Sequence, residues 1–124
     1  MRHSRAFLLL VTKAKRHIRQ TTVPGLKRMM TARTPFTLVD VREDHEWKRG
    51  RIRGAVHLGR GILERDIVNK VPDKRAVIVL YCGGGYRSAL AAESLGRMGY
   101  RNVSSLSGGW RAWKRAQGPV TAGR

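Results

Sequence analysis

Two periodicities alternate along this chain. Short apolar runs bounded by turn residues occur at 37–41, 55–58, 76–81 and 102–106, each the length of a strand buried in a sheet. Between them, helix-forming segments are predicted over 26–31, opened by Pro24, over 44–48 as a polar turn, over 61–68, and over 88–98, stopped by Gly99. A last helix enters through Gly108-Gly109 and carries Trp110 and Trp113. Strand and helix in alternation predict an α/β layer fold with a mainly parallel sheet. In such sheets, sites form beyond the carboxyl ends of the strands. That rule gathers residues 40–43, 58–61, 82–87 and 107–109 onto one edge.

The N-terminal segment is helical by the same criterion. Phe7, Val11, Ala14 and Ile18 follow at spacings of four, three and four, forming one apolar face, with Lys13, Arg16 and His17 off the stripe. A docked helix is expected, on its own domain or on a partner. Val23-Pro24-Gly25 then interrupts the pattern. The chain is therefore divided into a basic helical extension, residues 1–22, and one domain, residues 23–120.

Charge sharpens that division. The net charge is +18, every Asp and Glu lies at or beyond Asp40, and nine Lys or Arg fall within the first 39 residues. Three readings fit the arm: a solvated basic face, an acid-poor targeting peptide, or a surface for an acidic protein or nucleic acid. No base-reading element accompanies the charge, which counts against nucleic acid. No apolar run approaches the roughly 18 residues of a membrane span, so no membrane partner is expected. A single cysteine among 124 residues excludes an intrachain disulfide and suits a reducing, cytoplasmic setting. The four histidines, His3, His17, His45 and His57, do not cluster, and the glycine run lacks the lysine of a P-loop. Neither a metal nor another cofactor is expected.

The one cysteine is also the sharpest chemical feature. The run Ala76-Val77-Ile78-Val79-Leu80-Tyr81 delivers Cys82 into Gly83-Gly84-Gly85, and Tyr86-Arg87-Ser88 leads into the next helix. A glycine loop between strand and helix is an anion cradle, which favours sulfur as the nucleophilic thiolate. Without Cβ atoms the glycines can turn their N–H groups inward and leave room above the sulfur. Arg87 either lines this bowl or turns away to an acidic residue beneath it. Arg42 and Arg60, at two other strand ends, are candidates for attracting an anionic donor; for Arg42 a structural salt bridge with Glu43 or Glu46 is the favoured alternative. Asp40 is expected to organise loop N–H groups, and His57 to be a hydrogen-bonded structural residue. The loop by itself remains open to phosphate, arsenate or sulfur chemistry.

The Cys-x4-Arg loop after a buried strand resembles the active-site loop of the rhodanese sulfurtransferases. The likeness runs over residues 24–118. It includes Leu38-Val39-Asp40-Val41-Arg42-Glu43 with Glu46-Trp47, and Gly50-Arg51-Ile52-Arg53-Gly54-Ala55-Val56-His57-Leu58. Gly99-Tyr100-Arg101-Asn102-Val103 and Leu106-Ser107-Gly108-Gly109-Trp110 complete it. The resemblance implies a single rhodanese-like domain with a five-stranded, mainly parallel sheet flanked by helices on both faces. It implies that Cys82 takes a sulfur from a small anionic donor such as thiosulfate and passes it to cyanide or a thiol. The persulfide would lie among the N–H groups of Gly83, Gly84, Gly85, Tyr86 and Arg87. Related dual-specificity phosphatases of the cell cycle carry Cys-x5-Arg around a larger oxyanion, so the shorter loop favours sulfur. Two other readings stay open: a sulfur-relay or redox-sensing module serving a protein thiol, and a basic protein that binds nucleic acid or an acidic partner.

Overall fold

Residues 2–122 are described in a computed structural model. In chain order the elements are α1 (Arg5–Lys15), β1 (Arg19–Thr21), α2 (Val23–Ala32), β2 (Thr37–Asp40), α3 (Asp44–Arg49), β3 (Gly50–Ile52) and β4 (Val56–His57). Then follow α4 (Leu63–Lys70), β5 (Val77–Tyr81), α5 (Tyr86–Arg97), β6 (Asn102–Leu106), α6 (Gly109–Arg115) and β7 (Val120–Ala122). The five-stranded sheet has the order β1-β6-β5-β2-β4 and all its pairings are parallel. β3 and β7 form a separate antiparallel pair.

Alternation along β5 makes the two layers. Ile78, Leu80 and then Cys82 join one core with Leu63 and Ile67 of α4 and Ala91, Ala92 and Leu95 of α5. Val79 and Tyr81 join the other, with Leu26 of α2, Leu106 and Trp113 of α6. This is the strand period of two carried into packing, and it decides on which side the sulfur lies. Trp113 is fully buried, and its indole N–H donates to the Pro119 carbonyl at 2.9 Å.

The N-terminal segment differs from expectation in one respect. α1 ends at Lys15, so Ile18 does not continue the helical stripe; it packs at the margin of the α4–α5 core. Val11 and Ala14 are buried, and α1 docks on α5 of its own chain. Beyond Ile18 the chain enters β1, which lies beside β6 with Arg19 opposite Ser104 and Thr21 opposite Leu106. The segment read as an extension thus supplies a helix and the outer strand of the sheet. The sequence gives no strand signal here because Arg19-Gln20-Thr21 has no apolar alternation. A short charged strand is a usual way to finish a sheet edge.

Candidate active site

β5 stops at Tyr81 and α5 starts at Tyr86, leaving residues 82–85 as a tight strand-to-helix loop. Gly85 is the N-cap of α5, with φ +98°, a conformation that favours glycine, and it offers no side chain to cap the helix. Sulfur fills that role. Cys82 Sγ accepts from the Gly85 N–H at 3.1 Å and from the Ser88 N–H at 3.3 Å. Ser88 is the third residue of the helix, the donor an N-cap oxygen ordinarily satisfies. A negatively charged sulfur is favoured at that end of a helix. The Ser88 hydroxyl lies 3.4 Å from Sγ and 2.8 Å from the Ser105 hydroxyl, linking the cysteine to β6. Ser88 is a sulfur contact that falls one residue beyond the expected 83–87 bowl.

The carbonyls on the other side of the loop are held by α6. The Trp110 N–H donates to the Cys82 carbonyl at 2.8 Å, and the Arg111 N–H to the Gly83 carbonyl at 3.1 Å. These are free donors of the first helical turn, so α6 caps the loop with its own N-terminus. Gly109, at φ +54°, makes the approach possible, because a Cβ there would collide with the Cys82 carbonyl oxygen. A Cβ on Gly85 would come within 3.1 Å of the Gly108 nitrogen. Carbonyls fixed toward α6 leave the loop N–H groups to the sulfur side.

Arg87 turns away from the sulfur. Its Nη1 and Nη2 donate to Glu46 Oε1 and Oε2 at 2.9 and 3.2 Å, a bidentate pair between α5 and α3. Glu46 also accepts the Glu43 N–H at 3.0 Å as half of a capping box. Burial alone would push the Glu46 carboxyl up. The Arg87 hydrogen bonds, the Glu43 N–H and the charges of Arg87 and Arg42 outweigh burial and hold it at about 2. Arg87 is raised in turn, first by its hydrogen bond to Glu46, against burial, with the charges of Glu46 and Cys82 adding.

The other two expected arginines are not brought to the loop cavity. Arg42 is 2% exposed, with Nε and Nη2 on the Asp40 carboxylate and Nη2 also on the Gly50 carbonyl at 2.7 Å. Its guanidinium lies over Trp110 at 4.7 Å. Arg42 thus takes the structural salt bridge and not the donor-attracting role, with Asp40 as partner in place of Glu43 or Glu46, and the buried pair secures the strand end next to β5. Asp40 does organise a loop donor, accepting the Arg42 N–H at 2.8 Å. Arg60 pairs with Glu64 at 2.6 Å, and Glu64 also accepts from Ser94, so Arg60 braces α4 against α5. His57 Nε2 lies 2.8 Å from the Arg42 carbonyl and its ring stacks on Trp47, a structural role.

Above the sulfur is a cavity of about 360 Å³, lined in part by Cys82, Gly83, Gly84 and Arg87. Three further lining residues were not expected from the sequence: His3 and Phe7 from the N-terminal segment and Arg111 from α6. Arg111 could have been found by extending the strand-end rule one turn into the last helix. His3 and Phe7 arrive only because α1 docks on α5. A larger cleft, about 600 Å³, opens beside α3 between Lys48, His57 and Ile62, but Cys82 does not line it and it is open to solvent. Among the described residues no group of His, Cys, Asp and Glu could hold a metal ion, and no helix is long and apolar enough to cross a membrane.

The family model described as Rhodanese-like domain matches residues 22–116. The thiosulfate sulfurtransferase PspE of Escherichia coli is 31% identical over 70 residues, covering 56% of this chain and 67% of that protein. The thiosulfate sulfurtransferase GlpE of Coxiella burnetii is 30% identical over 79 residues, covering 64% of this chain and 72% of that protein. Among solved structures, a Rhodopseudomonas palustris protein of unknown function, described as a possible tyrosine phosphatase, superposes with a TM-score of 0.82. It is 28% identical and covers 98% of both chains.

Proposed function

This chain belongs to the rhodanese-like family, and from that premise we propose that it is a sulfurtransferase working through a persulfide on Cys82. The observation that carries the proposal is the pair of backbone N–H groups, from Gly85 and Ser88, directed at Sγ beneath a cavity. Both donate to the sulfur that would act as the nucleophile. In the first half-reaction the Cys82 thiolate attacks the outer sulfur of thiosulfate. The new S–S bond forms on Cys82 as the donor's S–S bond breaks and sulfite leaves with that bonding pair. In the second, cyanide or a thiolate attacks the terminal sulfur and restores the Cys82 thiolate. This is two-step covalent catalysis, with one difficult transfer divided into two.

The net charge of +18 suits anionic donors and acidic partners, and the free Cys82 suits a reducing, cytoplasmic setting. The test is the intact mass of the protein after thiosulfate. A gain of one sulfur, removed by cyanide and absent in Cys82→Ser, supports the proposal. Wild-type protein that takes up no sulfur from thiosulfate, mercaptopyruvate or a persulfide donor refutes it.

A further inference from the structure

α1 has two faces, and only one of them is used inside the molecule. Val11 and Ala14 are buried where the helix docks on α5. The other face is open. Leu8, Leu9 and Leu10 are 39%, 56% and 58% exposed, consecutive large apolar side chains left in solvent. Arg5, Lys13 and Arg16 are exposed around them, and among the described residues none of the three has a carboxylate partner. Arg5 lies in the first turn, where a cation opposes the helix dipole, and no acid there offsets it. That charge does nothing for the helix itself.

The arrangement selects an occupant. Successive residues lie about 100° apart around a helix, so Leu9 is opposite the buried face and Leu8 and Leu10 flank it. The leucines therefore cover the free half of the helix instead of forming one stripe. A partner helix or protein groove grips a stripe, at spacings of three and four. A fluid apolar layer accepts the whole half-cylinder, while long cationic side chains reach back to its charged boundary. A second copy of this chain is disfavoured, because it would set the same cations against one another. We propose that the outer face of α1 docks on an anionic lipid bilayer, with the leucines in the headgroup boundary and Arg5, Lys13 and Arg16 on lipid phosphates. At 11 residues α1 is too short to span a bilayer, so it lies in the plane of the surface. No acid precedes Asp40, and the net charge of +18 draws the chain to such a surface. Because α5 already holds α1, lipid contact has no helix to order.

The full chain is mixed with vesicles of phosphatidylcholine, alone or with phosphatidylglycerol, and bound protein is measured by flotation. Binding is expected to the anionic vesicles only. Leu9→Ser with Leu10→Ser should weaken it about tenfold, and Lys13→Gln with Arg16→Gln about tenfold as well. These side chains point to solvent, so both variants should keep the wild-type urea midpoint. Should the leucine pair lower that midpoint, Leu9→Ser alone carries the test. No binding to anionic vesicles, or equal binding to both kinds, overturns the proposal. Binding that falls in the charge variant but ignores the leucines also overturns it, since a +18 protein adsorbs on anionic surfaces without a docking face. Leucine-dependent binding to polyglutamate but not to vesicles overturns it in favour of an acidic protein. Leucine-dependent dimers in light scattering, without vesicle binding, overturn it in favour of a second copy.

Discussion

Glu46→Gln should separate the loop's shape from its sulfur. The wild-type carboxylate holds both terminal nitrogens of Arg87, and its carboxyl lies at about 2 against an ordinary 4.5. At about 1.4 kcal/mol per pKa unit, that difference sets a ceiling of about 3 kcal/mol. The Glu46 side chain is 26% exposed and the Arg87 side chain 35%, so solvent screening reduces this to roughly 1–2 kcal/mol. Because the folded-state value is depressed, the contribution is complete above pH 4.5 and is lost as pH falls toward 2. Urea unfolding of wild type and variant at neutral pH should therefore differ by roughly 1–2 kcal/mol, and the gap should shrink toward zero near pH 2. A gap of the same size at both pH values, or none at neutral pH, would refute the argument. Released from Glu46, Arg87 can swing toward the sulfur, so persulfide loading from thiosulfate should change in rate while the mass gain itself persists.

Three further outcomes follow from the loop's construction. Gly109→Ala places a Cβ against the Cys82 carbonyl at a left-handed φ, so it should cost about 2 kcal/mol in thermal unfolding and sharply slow sulfur loading. Ser88→Ala removes the hydroxyl joining Cys82 to buried Ser105 and should cost about 1 kcal/mol by urea unfolding; an unchanged midpoint would show that the link carries nothing. Raising ionic strength from about 0.05 M to about 0.5 M should raise KM for thiosulfate, because the +18 charge is then screened; a salt-independent KM would discount long-range attraction.

What could be read from the sequence was whatever local periodicity encodes. The strands around residues 37–41, 76–81 and 102–106 appear as β2, β5 and β6, and the alternation in β5 assigns Cys82 to the α4–α5 side. Phe7, Val11 and Ala14 do share a face, and that face is the one α1 uses. Elements made by pairing alone were not legible. β1 is polar, and β3 and β7 are three-residue strands that exist because Gly50–Ile52 lies against Val120–Ala122. Partner choice was also hidden. Arg42 finds Asp40, two residues back on the same side of the extended chain, rather than Glu43 or Glu46. Arg87 finds Glu46 across 41 residues, a distance at which no spacing rule operates.

The Arg87–Glu46 pair also bears on the phosphatase description of the Rhodopseudomonas palustris relative. Phosphoryl transfer spreads charge over several oxygens, and arginine serves such groups by donating from two nitrogens at once. Here both terminal nitrogens are committed to a carboxylate, and a phosphate in the loop would compete with Glu46 for them. A single sulfur asks for less. Its charge sits on one atom, and the N–H groups of Gly85 and Ser88 already reach the position from which it extends. Under the proposed sulfur chemistry Glu46 would act as a filter: by occupying Arg87 it leaves backbone amides as the donors to the sulfur. The residue that braces the loop would then also narrow its chemistry.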